Sequence, residues 1–210
     1  MFSDCFGIEE NNCIESIYPR CNILLQDKES RLEFINKYEP IETKHLIKII
    51  NSYKKIYLYM PTMRDSGKDF LQDLGFDFNK LNNILIEHNI LFLLKLHPAS
   101  KYDRAQNFSN IILLDNHMDI YPVMGFTDGL ITDYSSVYYD YLLMENKEIL
   151  LFIPDYEKYI KKERDLAFSY FDNTIGKRIY SFESLLTTIT QKTDIDKNIS
   201  YIRKKFWGVH

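Results

Sequence analysis

No stretch of this 210-residue chain stays apolar long enough to cross a bilayer; the longest apolar runs, 90–94 and 149–153, are stopped by Lys95 and by Pro154-Asp155. A basic excess is also missing. The formal charge is −4 and the isoelectric point about 5.8, so no nucleic-acid partner is expected, because such a partner calls for a basic stripe. Cysteine is scarce: Cys5, Cys13 and Cys21 cannot all pair and show no CxxC spacing, which fits a reducing cytoplasm better than a disulfide scaffold. The opening Met1-Phe2-Ser3-Asp4 has no basic segment leading into an apolar one, so no signal peptide is expected. There is no GxGxxG, no Walker loop and no GxSxG elbow, which removes support for dinucleotide binding, P-loop chemistry and α/β-hydrolase catalysis. Only Ala99, Ala105 and Ala167 are alanines, while Ile, Lys, Asn and Tyr are abundant. That lean reads as genomic base composition, so the 16 tyrosines count for little as a stacking surface.

What is present is a globular composition, 45% apolar and 27% charged, neither disordered nor membranous. Apolar runs at 56–60, 90–96, 111–114, 129–132 and 149–153 read as buried strands. Between them lie helix-like stretches: 78–88, with apolar residues at 78, 81, 84 and 85, a short piece at 118–124, and 134–144. Continuous apolar strands separated by helices indicate parallel βαβ units. The expected architecture is α/β: a Rossmann-like parallel sheet with helices on both faces, over residues 54–210 with a C-terminal helix at 195–206. Residues 1–53 are expected to form an N-terminal segment packed on that domain, with a strand at 13–18 and helices at 31–37 and 43–52.

The chemistry gathers at strand ends. Gly129-Leu-Ile-Thr-Asp-Tyr-Ser-Ser-Val137 runs from a buried strand into a helix, at the carboxyl edge where open parallel sheets bind ligands. Unpaired amides at a helix start, with the Ser135 and Ser136 hydroxyls, suit a phosphate. Simple capping by Asp133 or Ser135 explains the same residues. Leu94-Lys-Leu-His-Pro98 delivers His97 to the same edge, to face phosphate charge or donate to a departing oxygen; a purely structural histidine is the alternative. Tyr59-Met-Pro-Thr-Met-Arg-Asp65 adds Arg64, a permanent cation that either faces the ligand or pairs with Asp65 or Asp69. Asp155 follows the last strand and either caps a helix or accepts from a ligand hydroxyl. Asp115, His117 and Asp119 alternate but lack a fourth ligand, so a solvated turn is expected, with no metal and no cofactor. The tail 201–207 mixes basic and aromatic residues; it reads as a packed helix, with contact to a membrane surface as the alternative.

These segments, in this order, resemble the donor-binding half of the CDP-glycerol glycerophosphotransferase family, which builds teichoic acids and related capsular polyol-phosphate polymers. Leu130-Ile-Thr-Asp-Tyr-Ser-Ser-Val-Tyr-Tyr-Asp-Tyr141 is similar to the family signature, and Tyr18-Pro-Arg20, Pro61-Thr-Met-Arg64, Lys95-Leu-His-Pro98, Asp128 and 155–159 fall in step. The resemblance runs from about residue 18 to 206 and implies one half of a GT-B fold. It implies that Ser135 and Ser136, with the amides after them, hold the diphosphate of a CDP-alcohol donor, CDP-glycerol foremost, and that Thr132 and Asp133 are among the substrate-binding residues. His97 and Arg64 would offset charge on the transferring phosphoryl group and the leaving CMP. Asp140 would hold a donor hydroxyl or brace the serine loop, and Asp155 and Arg164 would complete the substrate contacts. Asp165 stands where the family has a glycine after Arg164, and 174–177 replaces a Pro-Gly-rich loop. The polymer or lipid-linked acceptor would be bound by an N-terminal domain not found in this sequence, with the enzyme cytoplasmic, peripheral at the inner face of a bacterial membrane. A capsule glycosyltransferase domain using a nucleotide sugar, and a truncated non-catalytic module, are the alternatives.

Overall fold

The computed structural model describes residues 7–13, 16–64, 70–97, 107–163, 166, 168–191 and 199–208. Its centre is a six-stranded sheet of β1 (Lys55–Met60), β2 (Ile90–Leu94), β3 (Ile111–Leu113), β4 (Gly129–Thr132), β5 (Glu148–Phe152) and β6 (Lys177–Ile179). The spatial order is β3-β2-β1-β4-β5-β6 and every pairing is parallel. All carboxyl ends therefore share one edge. The direction of succession reverses between β1 and β4, where Met60 pairs with Thr132, and loops diverge there to leave a crevice.

Alternation along each strand divides the core in two. Ile56, Leu58, Leu91, Leu93, Leu130, Ile149 and Leu151 face one layer. It contains a 3-10 segment (Pro19–Leu25) and the helices α1 (Lys28–Tyr38) and α2 (Ile41–Ile50), followed further along the chain by α5 (Tyr121–Met124), α6 (Val137–Tyr141) and α10 (Ile199–Trp207). Tyr57, Tyr59, Phe92, Leu94, Ile131, Leu150 and Phe152 face the other layer, with α3 (Phe70–Asp73), α4 (Phe78–Glu87) and α9 (Phe182–Thr190). On α4, Leu81 and Leu85 sit one turn apart and are fully buried, each contributing roughly 1.5–3 kcal/mol through its burial. Side-chain caps start these helices: Asp27, Asp77 and Ser181 accept from Ser30, Lys80 and Ser184 amides at 2.8, 3.0 and 3.2 Å, about 1 kcal/mol each. Gly129 is required by close approach, since a Cβ there would lie 2.7 Å from the Tyr57 ring across the β1–β4 pair.

Several expectations change. The helix expected at 134–144 is the five-residue α6, because Asp133 binds the Tyr134 amide and Ser135–Ser136 form the turn before it, while Asn146, with φ of 56°, lies in the turn beyond. Of the strand expected at 13–18, the described residues 13 and 16–18 are irregular. The helices expected at 31–37 and 43–52 are α1 and α2, begun three and two residues earlier. A sixth strand, β6, was not foreseen; only Ile179 in it is buried. Of the C-terminal helix expected at 195–206, residues 195–198 lie outside the described residues; the described part, α10, buries Ile202 and Arg203 and is tied to the end of α6 by a bond from Arg203 Nε to Leu142 O at 2.6 Å. Among the described residues no helix is long and apolar enough to cross a membrane.

Candidate active site

A cavity of about 480 Å³ opens at the crevice, lined by Thr62 beyond β1, His97 beyond β2, and Asp133 to Ser136 beyond β4. Ser135 is half-buried and its Oγ accepts from the Val137 amide at 3.4 Å; Ser136 and His97 are exposed. The two hydroxyls and the imidazole named from sequence thus border one space. Its far wall is aromatic: Tyr134, Tyr138, Tyr139, Tyr159 and Tyr170 all line it, with Phe168. The tyrosines discounted as compositional include five gathered at one place, which local spacing shows only in part because they come from three segments, 134–139, 159 and 170.

The remaining site residues do different work. Thr132 is fully buried and its hydroxyl donates to Met60 O at 2.7 Å, tying β4 to β1 rather than facing the cavity. Asp133 is buried with four donors around it: the Thr62 amide at 2.8 Å, the Thr62 hydroxyl at 2.6 Å, the Tyr134 amide at 2.6 Å and Arg64 Nη2 at 2.9 Å. Burial drives this carboxyl upward, against Arg64 and Thr62. Since every neighbour is a donor, the ionised form satisfies all the bonds at once.

Arg64 is not on an open rim; its side chain is 3% exposed. Its partners are Asp133 and, by a two-pronged contact at 2.9 and 3.2 Å, Asp155. The alternative partners Asp65 and Asp69 lie outside the described residues. Burial opposes the charge on Arg64, but Asp133 and Asp155 outweigh it and raise the pKa further. The guanidinium carbon lies 5.2 Å from the Tyr134 ring centroid and 4.8 Å from that of Tyr159, and these two rings stack at 3.9 Å. Tyr134 also donates to Asp155 at 3.0 Å. Burial and then Asp155 push its phenol far above the ordinary value. Arg64 and Asp155 line a second cavity of about 700 Å³, beyond α7 (Tyr156–Lys162).

Asp140 points away from the first cavity. It accepts from the Tyr121 hydroxyl at 2.5 Å and from Arg20 at 3.2 Å, which joins α6 to α5 and to the 3-10 segment. These bonds brace α6 against its neighbours. Burial and the same carboxylate push the neighbouring Cys21 thiol up to about 11. Arg164 lies outside the described residues. Asp115 and Asp119 each accept from an amide two residues on, the ordinary chemistry of a turn. Among the described residues no three His, Cys, Asp or Glu side chains are placed to share a metal ion. Sequence reasoning missed Thr62, which the Pro61–Arg64 motif contained, and Tyr170 and Thr174, for which there was no local signal.

A family model described as CDP-Glycerol:Poly(glycerophosphate) glycerophosphotransferase matches residues 1–209. The chain belongs to this family. Among its relatives, the teichoic acid ribitol-phosphate polymerase TarK of Staphylococcus aureus (strain NCTC 8325 / PS 47) is 28% identical over 98% of this chain and 39% of that protein. The teichoic acid glycerol-phosphate primase of Bacillus subtilis (strain 168) is 30% identical over 90% of this chain and 45% of that protein. A solved structure of the wall teichoic acid polymerase TagF superposes with a TM-score of 0.68 at 25% identity, over 99% of this chain and 47% of that one. The fold is accordingly α/β, a Rossmann-like sheet matching part of a GT-B protein. The chain spans about two fifths of the length of the curated relatives it matches.

Proposed function

We propose that this chain is the donor-binding domain of a CDP-glycerol glycerophosphotransferase-like enzyme. It holds a CDP-alcohol, CDP-glycerol foremost, while the polyol phosphate passes to a cell-surface polymer or lipid-linked acceptor and CMP leaves. The observation that carries this reading is the shared cavity: the Ser135 and Ser136 hydroxyls and the His97 imidazole, from the tips of two strands, border one space at the β1–β4 crevice.

In the transfer, an acceptor hydroxyl oxygen forms a bond to the β-phosphorus. The bond from that phosphorus to the bridging oxygen breaks, its electron pair leaves with CMP, and the acceptor proton passes to a base. Positioning and charge stabilisation supply most of the acceleration in such reactions. The serine hydroxyls hold the diphosphate, and His97 donates toward the oxygen that departs. With α6 only five residues long, hydroxyls and local amides matter more than a helix macrodipole. The relatives are about twice as long as this chain or longer, which leaves room in them for a facing domain that binds the acceptor. The free thiols of Cys13 and Cys21 suit a cytoplasmic setting, and we place the enzyme at the inner face of the membrane as a peripheral protein.

Isothermal titration with CDP-glycerol, CDP-ribitol and UDP-sugars tests the reading. A CDP-alcohol is expected to bind, and Ser136→Ala is expected to weaken it about tenfold, as loss of one hydrogen bond to a charged group does. Indifference to every nucleotide overturns the assignment.

A further inference from the structure

We infer that Arg64 is a positioning residue that shapes the Ser135–Ser136 loop from behind and does not touch the ligand. Its functional consequence rests on the donor-site reading above; its structural part stands on internal geometry.

Every nitrogen of the guanidinium has an internal acceptor. Nε donates to Asp155 Oδ2 at 2.9 Å, Nη2 to Asp133 Oδ2 at 2.9 Å and Asp155 Oδ1 at 3.2 Å, and Nη1 to Thr62 O at 2.6 Å. Among the described residues, two carboxylates face this one cation. The three N–H groups turned to Asp133 and Asp155 are committed: a phosphate oxygen taking any of them would have to displace a carboxylate from a buried pair, and the stranded carboxylate would then oppose the phosphate.

The route from Arg64 to the serines is short. Asp133, held by Nη2, fixes the Thr62 and Tyr134 amides with its other oxygen. Asp155, held by Nε and Nη2, fixes the Tyr134 hydroxyl. Tyr134 is thereby anchored at its amide and at its phenol, one residue before Ser135. The planar fork also joins the carboxyl ends of β1, β4 and β5, a task a point charge on a flexible stem cannot perform. Arg64→Lys keeps the charge and loses the fork, which separates the two possible roles.

Two measurements test this. In the ligand-free protein, amide hydrogen exchange at Thr62 and Tyr134 is expected to quicken about tenfold or more in Arg64→Lys while β2 stays protected. Unchanged loop exchange overturns the proposal, whether or not a nucleotide binds. Failure of CDP-alcohols to bind the wild-type chain sinks only the donor reading. In titrations with CDP-glycerol, Arg64→Lys is expected to cost about tenfold in affinity alone but less than about twofold in a Ser136→Ala background, because the group it positions is already gone. Equal losses in both backgrounds mean direct contact with ligand and overturn the proposal. If Arg64→Lys does not fold, Asp155→Asn takes its place in both experiments, with the same outcomes expected.

Discussion

Asp133 and Asp140 lie seven residues apart in one segment, and each faces an arginine from elsewhere in the chain. The pairs nevertheless live in different media. Arg64 is enclosed with Asp133, lies beside the stacked rings of Tyr134 and Tyr159 and is bonded to a second carboxylate. Arg20 meets Asp140 through a single bond, and its side chain is 55% exposed, lying over the Tyr18 and Tyr121 rings at 5.1 and 5.6 Å. In the first pair little water is available to replace a lost partner, so each group depends on the other. In the second, solvent already solvates the cation, and the buried carboxylate keeps the Tyr121 hydroxyl.

Breaking the pairs should expose that difference. Arg64→Ala is expected to destabilise the protein by about 3–5 kcal/mol in urea unfolding, because it strands buried carboxylates. A loss under about 1 kcal/mol would show that water reaches them. Asp140→Ala comes next, at about 1.5–3 kcal/mol, through the Tyr121 hydroxyl left without its acceptor. Arg20→Ala is expected to cost about 1 kcal/mol or less. Repeating the two arginine variants in about 1 M salt, where the Debye length is about 3 Å, sharpens the contrast. The Arg20 effect should fade while the Arg64 effect persists.

The same contrast separates what the chain reveals locally from what it does not. Strands β1, β2, β4 and β5 were legible because a strand buried on both faces must be apolar throughout, as Ile90–Leu94 is. Edge strand β6, Lys-Arg-Ile, was not, because only one of its residues meets the core. Ser135, Ser136 and His97 could be placed on one edge because a parallel sheet sends every strand end the same way. The partners of Arg64, 69 and 91 residues away, were hidden, since pairing across strand ends depends on strand order and leaves no trace in spacing. Nothing local marks Tyr159 and Tyr170 as neighbours of the tyrosines at 134–139 either. The length of α6 was overread because Tyr134–Met144 looks helical until Asp133 is seen holding the Tyr134 amide outside the helix.

The chain has a single tryptophan, and it stands next to this site. Trp207 donates its indole N–H to Tyr139 O at 2.8 Å, and Tyr139 is part of the cavity wall. An occupant that shifts the Tyr139 backbone will alter the environment of the lone indole, so the protein carries its own fluorescent gauge of occupancy, readable without label or turnover.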